Sequence, residues 1–346
     1  MSSVTINDVA RFAGVSKKTV SRVINNEINV SVETRDKVMA VINQLGFKRN
    51  PLGMALAKNR SLFIALLADN PSPGYLQKLQ KGILQCCSEE HMGLFLYDCR
   101  YRAPGLVNEI EEFIDNTLAD GLILVPPLSD KQDLLDMLDR KKVCYMRIGP
   151  KNQGCGDSVG FNGVKAACEM THYLLRLRHK DIAFVLGHPD QESSRRVETG
   201  FRKAFSDQGL PVNEALIVQG YYTYQSGIDA AATLLSKSPR PTAILAANDE
   251  MAAGVLYEAH SRGIKVPDEL SICGIDDISL TTKVWPNLTT MRQPIATIGY
   301  RAALMLINKL KGKPMPEAVT PEDQSNIYDC ELIVRDSTSA PTNLRT

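Results

Sequence analysis

From Leu62 onward, short apolar runs alternate with amphipathic stretches: LFIALLA, GLFLYD, DGLILVPP, VCYMRIG, SVGFN, DIAFVLG, ALIVQG, TAILAAND and LSICGID. Between them, residues 104–118, 163–178, 195–209, 225–238, 249–263 and 295–311 read as helices. Apolar runs alternating with helices predict strands buried on both faces, hence parallel α/β units. About 280 residues of this pattern exceed one comfortable core. The expectation is two doubly wound parallel-sheet subdomains with a cleft between them, and ligands of such sheets sit at the carboxyl ends of the strands.

The N-terminal segment has a different rhythm. TINDVARFAGVSKKTVSRVIN holds two short helical patterns separated by Gly14-Val15-Ser16, where glycine suits a turn with positive φ and serine an N-cap. Around the second helix, Lys18, Ser21 and Arg22 fall at roughly 100°, 40° and 140° from Lys17, opposite Val20, Val23 and Ile24. Small Ala10 and Ala13 let that apolar side approach the first helix closely. A third helix is expected from Ser31 to Leu45, with Val38, Val41, Ile42 and Leu45 on one face and Gly46 as its stop. This predicts an all-α helix-turn-helix head with a basic, hydrogen-bonding outer face.

Charge sharpens the division. Of 40 Lys+Arg and 39 Asp+Glu, residues 1–60 hold ten basic against four acidic side chains. A basic head on a mildly acidic body is what a polyanion reader looks like, although a solvated basic face stays open on charge alone. The overall balance, 44% hydrophobic and 23% charged, excludes a disordered, collagen-like or supercharged chain. No apolar run approaches the ~18 residues of a membrane span, and MSSVTINDVARF has no apolar signal region, so a soluble cytoplasmic protein is expected. Eight cysteines (86, 87, 99, 144, 155, 168, 273, 330) form no CxxC motif and no Cys/His cluster in sequence, so neither metal nor cofactor is expected.

The major groove accepts an α-helix whose Arg and Lys pair with guanine edges. Lys17, Lys18 and Arg22 are therefore the candidates for base reading, with Thr5, Ser16, Thr19, Ser21 and Asn25 for phosphate or supporting contacts. Asn50-Pro51 is an N-cap with proline at the first helical position, followed by LGMALAK. A helix this short is marginal alone, so it should fold only against a partner. In the body, AAND and GIDD place Asn248, Asp249, Asp276 and Asp277 at strand ends, where amides and carboxylates can hold hydroxyls. Tyr75 and Trp285 are candidate aromatics for an apolar ligand face. No GxxxxGK[ST], HExxH or GxSxG motif occurs, and the five histidines offer no triad, so catalysis is not expected.

The run from Thr5 to Asn25, followed by LGFKRNPLGMALAKNRS, resembles the lactose-repressor (LacI/GalR) family of bacterial transcription regulators, and later motifs extend the likeness over nearly the whole chain. The resemblance implies a head at residues 1–49 and a hinge helix at 50–61. It implies a periplasmic-binding-protein-like core at 62–346, split into 62–160 with 292–322 and 161–291 with 323–346. It further implies a homodimer on pseudo-palindromic double-stranded operator DNA, whose hinge helices lie in the minor groove. There Leu56 would wedge the central base step, with Asn50 and Lys58 beside it. Gly53 and Met54 depart from the usual alanine and arginine.

In the core, the family's stacking aromatic falls on Tyr222, and its ligand arginine on Val197, preceded by Arg195 and Arg196. Either Arg196 reaches the cleft or the effector is held differently. The implied function is a repressor of carbohydrate genes controlled by a sugar-like effector, with induction and corepression both open. A solute-binding protein and a sugar-modifying Rossmann-type enzyme are the alternatives.

Overall fold

The capping residues expected from the sequence shape the head in the computed structural model, which describes residues 4–24, 29–47, 61–117, 119–152, 157–315 and 320–341. The chain divides into two units, Met1–Leu62 and Phe63–Thr346. In the first, α1 (Ile6–Ala13) starts at a capping box between Thr5 and Asp8 and stops at Gly14, whose left-handed φ of 62° turns the chain. Ser16 accepts a hydrogen bond from the Thr19 amide at 3.1 Å, opening α2 (Lys17–Ile24). Helix α3 (Val32–Leu45) runs from Ser31 to Gly46. Val9, Ala10, Ala13, Val20, Val23 and Val38 form the buried centre of this head.

The second unit contains two six-stranded sheets. The first lobe is built from β1 (Phe63–Ala68), α4 (Pro73–Glu90), β2 (Gly93–Asp98), α5 (Leu106–Thr117), β3 (Gly121–Leu124), α6 (Gln132–Arg140), β4 (Cys144–Ile148) and β5 (Ser158–Phe161). The second contains α7 (Gly163–Arg176), β6 (Ile182–Val185), α8 (Glu192–Asp207), β7 (Ile217–Val218), α9 (Tyr224–Leu234), β8 (Ala243–Ala246), α10 (Asp249–Ser261), β9 (Ser271–Ile275) and β10 (Thr289–Arg292). Then α11 (Ile295–Lys311) returns to pack on α4 and β4 of the first lobe. The short α12 (Pro321–Ser325) and β11 (Ile327–Tyr328) follow, and β12 (Glu331–Ile333) ends in the second sheet.

The strand orders are β11-β5-β4-β3-β1-β2 and β12-β10-β9-β8-β6-β7. All pairs are parallel except β10 with β12, so both lobes are doubly wound α/β layers. The chain crosses between lobes after Phe161, after Arg292 and a third time after Tyr328. That third crossing comes later than the expected 323, because Ile327 and Tyr328 still pair with Gly160 and Phe161. Arg301 holds this segment on the first lobe through the Asn326 side chain at 3.2 Å and the Asp323 carbonyl at 2.9 Å.

Beyond β12 the chain stays laced to the second sheet. Ser337 Oγ donates to the Ile272 carbonyl at 2.6 Å and accepts from the Thr289 amide at 2.8 Å. Helices α4 and α6 add to those expected, and α8 begins at Glu192 rather than 195.

Candidate functional site

On the head, Lys17 and Lys18 are exposed, while Thr19, Ser21 and Arg22 are half-buried on the flank of α2 above buried Val20 and Val23. Ser16 Oγ lies 2.8 Å from Thr19 Oγ1, so the two hydroxyls at the helix start form one polar pair. Thr5 is more committed: its hydroxyl meets Asp8 Oδ2 at 2.7 Å and caps the Asp8 amide at 3.3 Å. Asn25, Asn50, Leu56 and Lys58 lie outside the described residues.

The candidate ligand site is a cleft where the strand ends of both lobes meet. The first lobe contributes Asn70 and Ser72 after β1, Tyr75 in the first turn of α4, Pro126 after β3, Ile148 and Gly149 at the end of β4, and Phe161. From the second come Gln191, Ser193 and Val197 around the start of α8, then Tyr222, Asn248 after β8, Asp276 after β9 and Gln293 after β10. Among the described residues, Asp276 is the single carboxylate of this lining, and no Lys, Arg or His joins it. The arrangement combines apolar walls with converging amides, hydroxyls and one acid, which suits a small uncharged ligand rich in hydroxyls.

Backbone strain concentrates here. Tyr222, Asp276 and Asp277 have φ of 63°, 117° and 52°, conformations that cost a non-glycine residue roughly 1–3 kcal/mol each and persist only where neighbours enforce them. The enforcement is visible. The Asp276 amide donates to the Met291 carbonyl at 2.9 Å, and buried Asp249 takes the Ile278 amide at 2.9 Å and the Thr290 hydroxyl at 2.6 Å. Asp277 does not face the ligand: its carboxylate is gripped by Arg335 at 2.6 Å and Arg292 at 2.7 Å. Lys78, from the other lobe, donates to the Asp277 carbonyl.

Burial pushes the Asp276 carboxyl well above the usual carboxylate range, reinforced by Asp249 and opposed by Lys78. Asp249 is raised as well, chiefly by burial. For Asp277 burial acts upward too, but Arg292 and Arg335 outweigh it and hold the group ionised below its ordinary value. Burial also raises the phenols of Tyr75 and Tyr222, which stay neutral donors.

Asn248 has two duties. Its carbonyl oxygen caps α10 through the Met251 amide at 3.0 Å, and its Nδ2 donates to the Tyr222 carbonyl at 3.0 Å, fixing the strained backbone under the aromatic ring. That ring lies against Gly187, where an added Cβ would meet Tyr222 Cζ at 2.1 Å, and its hydroxyl reaches Ser193 Oγ at 3.2 Å.

Tyr75, Tyr222, Asn248 and Asp276 are thus together in the cleft, whereas three other expected residues are elsewhere. Trp285 is 75% exposed, because the chain leaves the strand end through the turn at Ser279–Thr282 and carries it away from the lining. Arg195 points outward and pairs with Glu192 at 3.5 Å. Arg196 neither lines the cleft nor replaces the missing arginine. It clasps the lobes instead, donating from Nη2 to the carbonyls of Pro150 and Lys151 at 2.8 and 2.7 Å.

At the mouth, Arg102 and Asp190 form a second bridge between lobes at 2.6 Å. Asn70, Ser72, Gln191, Ser193 and Gln293 were not singled out from sequence, although Ser72-Pro73 is a legible helix start. Cys86 and Cys87 are core residues of α4, their thiols raised by burial to about 12 and about 11.

Residues 5–50 match the family described as bacterial regulatory proteins, lacI family, and residues 171–338 match the periplasmic binding protein-like domain. The chain is 34% identical over 338 residues to the HTH-type transcriptional regulator DegA of Bacillus subtilis (strain 168), covering 97% of this chain and 98% of that protein. Among solved structures it resembles the lac repressor dimer bound to operator and the anti-inducer ONPF (TM-score 0.75, 26% identity, 98% of this chain and 100% of that one). It also resembles the transcriptional regulator CelR in complex with cellobiose (TM-score 0.71, 26% identity, 96% and 99%). No described helix is long and apolar enough to cross a membrane. With the helix-turn-helix head, the two-lobed core and these likenesses in agreement, the chain belongs to the lacI family of bacterial regulatory proteins, which are DNA-binding transcription regulators and not enzymes.

Proposed function

We propose that the cleft binds a neutral saccharide, and that its occupancy controls how tightly a homodimer of this chain holds a short pseudo-palindromic operator upstream of carbohydrate genes. The cleft chemistry carries this reading. Asp276 can accept two hydroxyls, Gln191, Gln293 and Ser193 can exchange hydrogen bonds with others, and the Tyr75, Tyr222 and Phe161 rings offer apolar faces to sugar C–H groups. Among the described residues, no cation lines the cleft to neutralise a phosphate or carboxylate, which disfavours an anionic effector. The cellobiose complex of one structural neighbour supports the same class.

The head reads bases through Lys17, Lys18 and Arg22 of α2 in the major groove, with Thr5, Ser16, Thr19, Ser21 and Asn25 on or near the phosphates. Two heads then span half-sites about one helical turn apart. The hinge, with Asn50, Leu56 and Lys58, folds against the minor groove and kinks the central step. Effector and DNA are coupled only as far as the effector prefers one arrangement of the lobes. Arg196, Arg102–Asp190 and Lys78 are the contacts that such a rearrangement must keep or break.

The test is a thermal-shift screen of the full chain against neutral mono- and disaccharides, sugar phosphates and nucleobases. It is followed by mobility shift on duplexes selected from a random pool, with and without the best compound. A saccharide that raises the melting temperature and changes operator retention is the expected result. Stabilisation by a phosphorylated sugar or a nucleobase alone would overturn the neutral-effector assignment.

A further inference from the structure

We propose that Cys168, His172 and Asp207 form a binding site for a zinc-class divalent cation between α7 and the C-terminal end of α8. Cys168 and His172 stand one helical turn apart on α7 and therefore share a face. Asp207 is the last residue of α8, which packs along α7 through Ala167, Met170, Phe201 and Phe205. Cys168 Sγ lies 3.9 Å from His172 Nδ1 and 3.8 Å from Asp207 Oδ2, and one ligand atom from each residue falls within 4.8 Å of the others.

Bond lengths of about 2.3 Å to sulfur and about 2.0–2.2 Å to nitrogen or oxygen put tetrahedral ligand atoms about 3.3–3.6 Å apart. Two of the three ligand-atom pairs need to close by a few tenths of an ångström, and the third, within 4.8 Å, by up to about 1.5 Å. The other ring nitrogen, His172 Nε2, is shut off from solvent with no hydrogen-bond partner and lies 3.8 Å from Asp207 Oδ2, so a cation taken through this nitrogen would satisfy it.

The donor set fits a borderline metal. Thiolate and imidazole select zinc or cobalt over magnesium or calcium, and the carboxylate completes three protein ligands with a fourth position left to water. On binding, the cation releases the Cys168 proton to solvent and displaces the Lys203 ammonium, which otherwise sits 2.7 and 2.8 Å from the two Asp207 oxygens. One thiolate and one carboxylate then balance the dipositive ion. The site ties together the helix that follows the first lobe crossing and the helix whose opening residues Ser193 and Val197 line the cleft, so occupancy stiffens one wall of that cleft.

The test uses the full-length reduced protein titrated with Co²⁺ alone, followed by absorption of the thiolate-to-cobalt charge-transfer band. One equivalent should saturate the band and Zn²⁺ should remove it. Cys168→Ala should abolish it. His172→Ala should weaken cobalt binding at least as much as the roughly 10–100-fold typical of losing an outer-shell partner. Lys203→Ala, which removes the competing cation, should tighten binding. A Cys144→Ala/Cys330→Ala variant, lacking the half-buried thiols elsewhere, should keep the band.

Circular dichroism of each metal-free variant separates loss of the site from loss of the fold. Cys168→Ser serves in place of Cys168→Ala if the latter unfolds. Absence of the band in folded wild-type protein, or its survival in the folded Cys168 variant, overturns the proposal, as does unchanged or weaker binding in Lys203→Ala.

Discussion

Replacing Gly187 with alanine perturbs the aromatic wall of the cleft without replacing any polar group that lines it. The new Cβ would sit 2.1 Å from Tyr222 Cζ, 2.3 Å from its hydroxyl oxygen and 2.5 Å from Cε1, against an ordinary contact of at least 3.4 Å. The ring must therefore move by about 1.3 Å or more. The backbone of Tyr222 cannot follow, because Asn248 holds its carbonyl at 3.0 Å. The ring rotates instead, its Ser193 hydrogen bond at 3.2 Å breaks, and the flat face offered to the ligand is lost.

Overpacking of this kind costs about 1–3 kcal/mol, and the lost hydrogen bond about 1 kcal/mol more. If half or more of that falls on the bound state, the saccharide found by the screen should bind about 5–30-fold more weakly. Calorimetric titration measures the affinity, and mobility shift should show operator binding that no longer responds at the original effector concentration. An unchanged dissociation constant in a folded Gly187→Ala protein would refute the placement of the ligand against Tyr222.

Further outcomes follow from other parts of the molecule. Arg22→Ala should cost about 1–3 kcal/mol on the selected operator and relax base preference, and equal losses on operator and random duplex would remove its base-reading role. Leu56→Ala should reduce operator bending, read by circular permutation of the duplex, with effector affinity intact, and unchanged bending would dismiss the wedge. Because Asp276 keeps its proton in the folded chain at pH values where the unfolded chain has released it, stability should fall as pH rises above the usual carboxylate range. Saccharide affinity should rise over the same interval, since hydroxyls donate to the ionised form. Asp276→Asn should flatten both slopes, and urea unfolding with the same dependence of stability on pH in the two proteins would contradict the raised pKa.

Periodicity made the two architectures legible, because burial on one helical face or on both strand faces leaves a pattern that tertiary structure rarely overrides. Site residues were legible where their position on an element was. Asn248 and Asp276 end strands, and Tyr75 follows a capped helix start. The arginines of α8 are not legible from spacing alone because the helix phase decides them: Val197 faces the cleft, Ser193 lies about 40° from it around the axis, Arg196 about 100° and Arg195 about 200°. That places Arg195 on the far side and sends Arg196 sideways to the other lobe's carbonyls. Asp207 beside Cys168 was invisible for another reason, since 39 residues separate them and only the docking of α8 on α7 joins them.

Arg335 locks Asp277 from 58 residues downstream, and so sets an order of events during synthesis. The elements of the first lobe are complete once Tyr328 has emerged, but the turn presenting Asp276 gains its second guanidinium anchor, after that of Arg292, only when the final strand and the stretch after it have left the ribosome. A polypeptide cut short after Cys330 would keep its reading head and its first sheet while leaving Arg292 alone to hold the loop that presents Asp276. Such a fragment is a natural design for a regulator that no longer hears its metabolite.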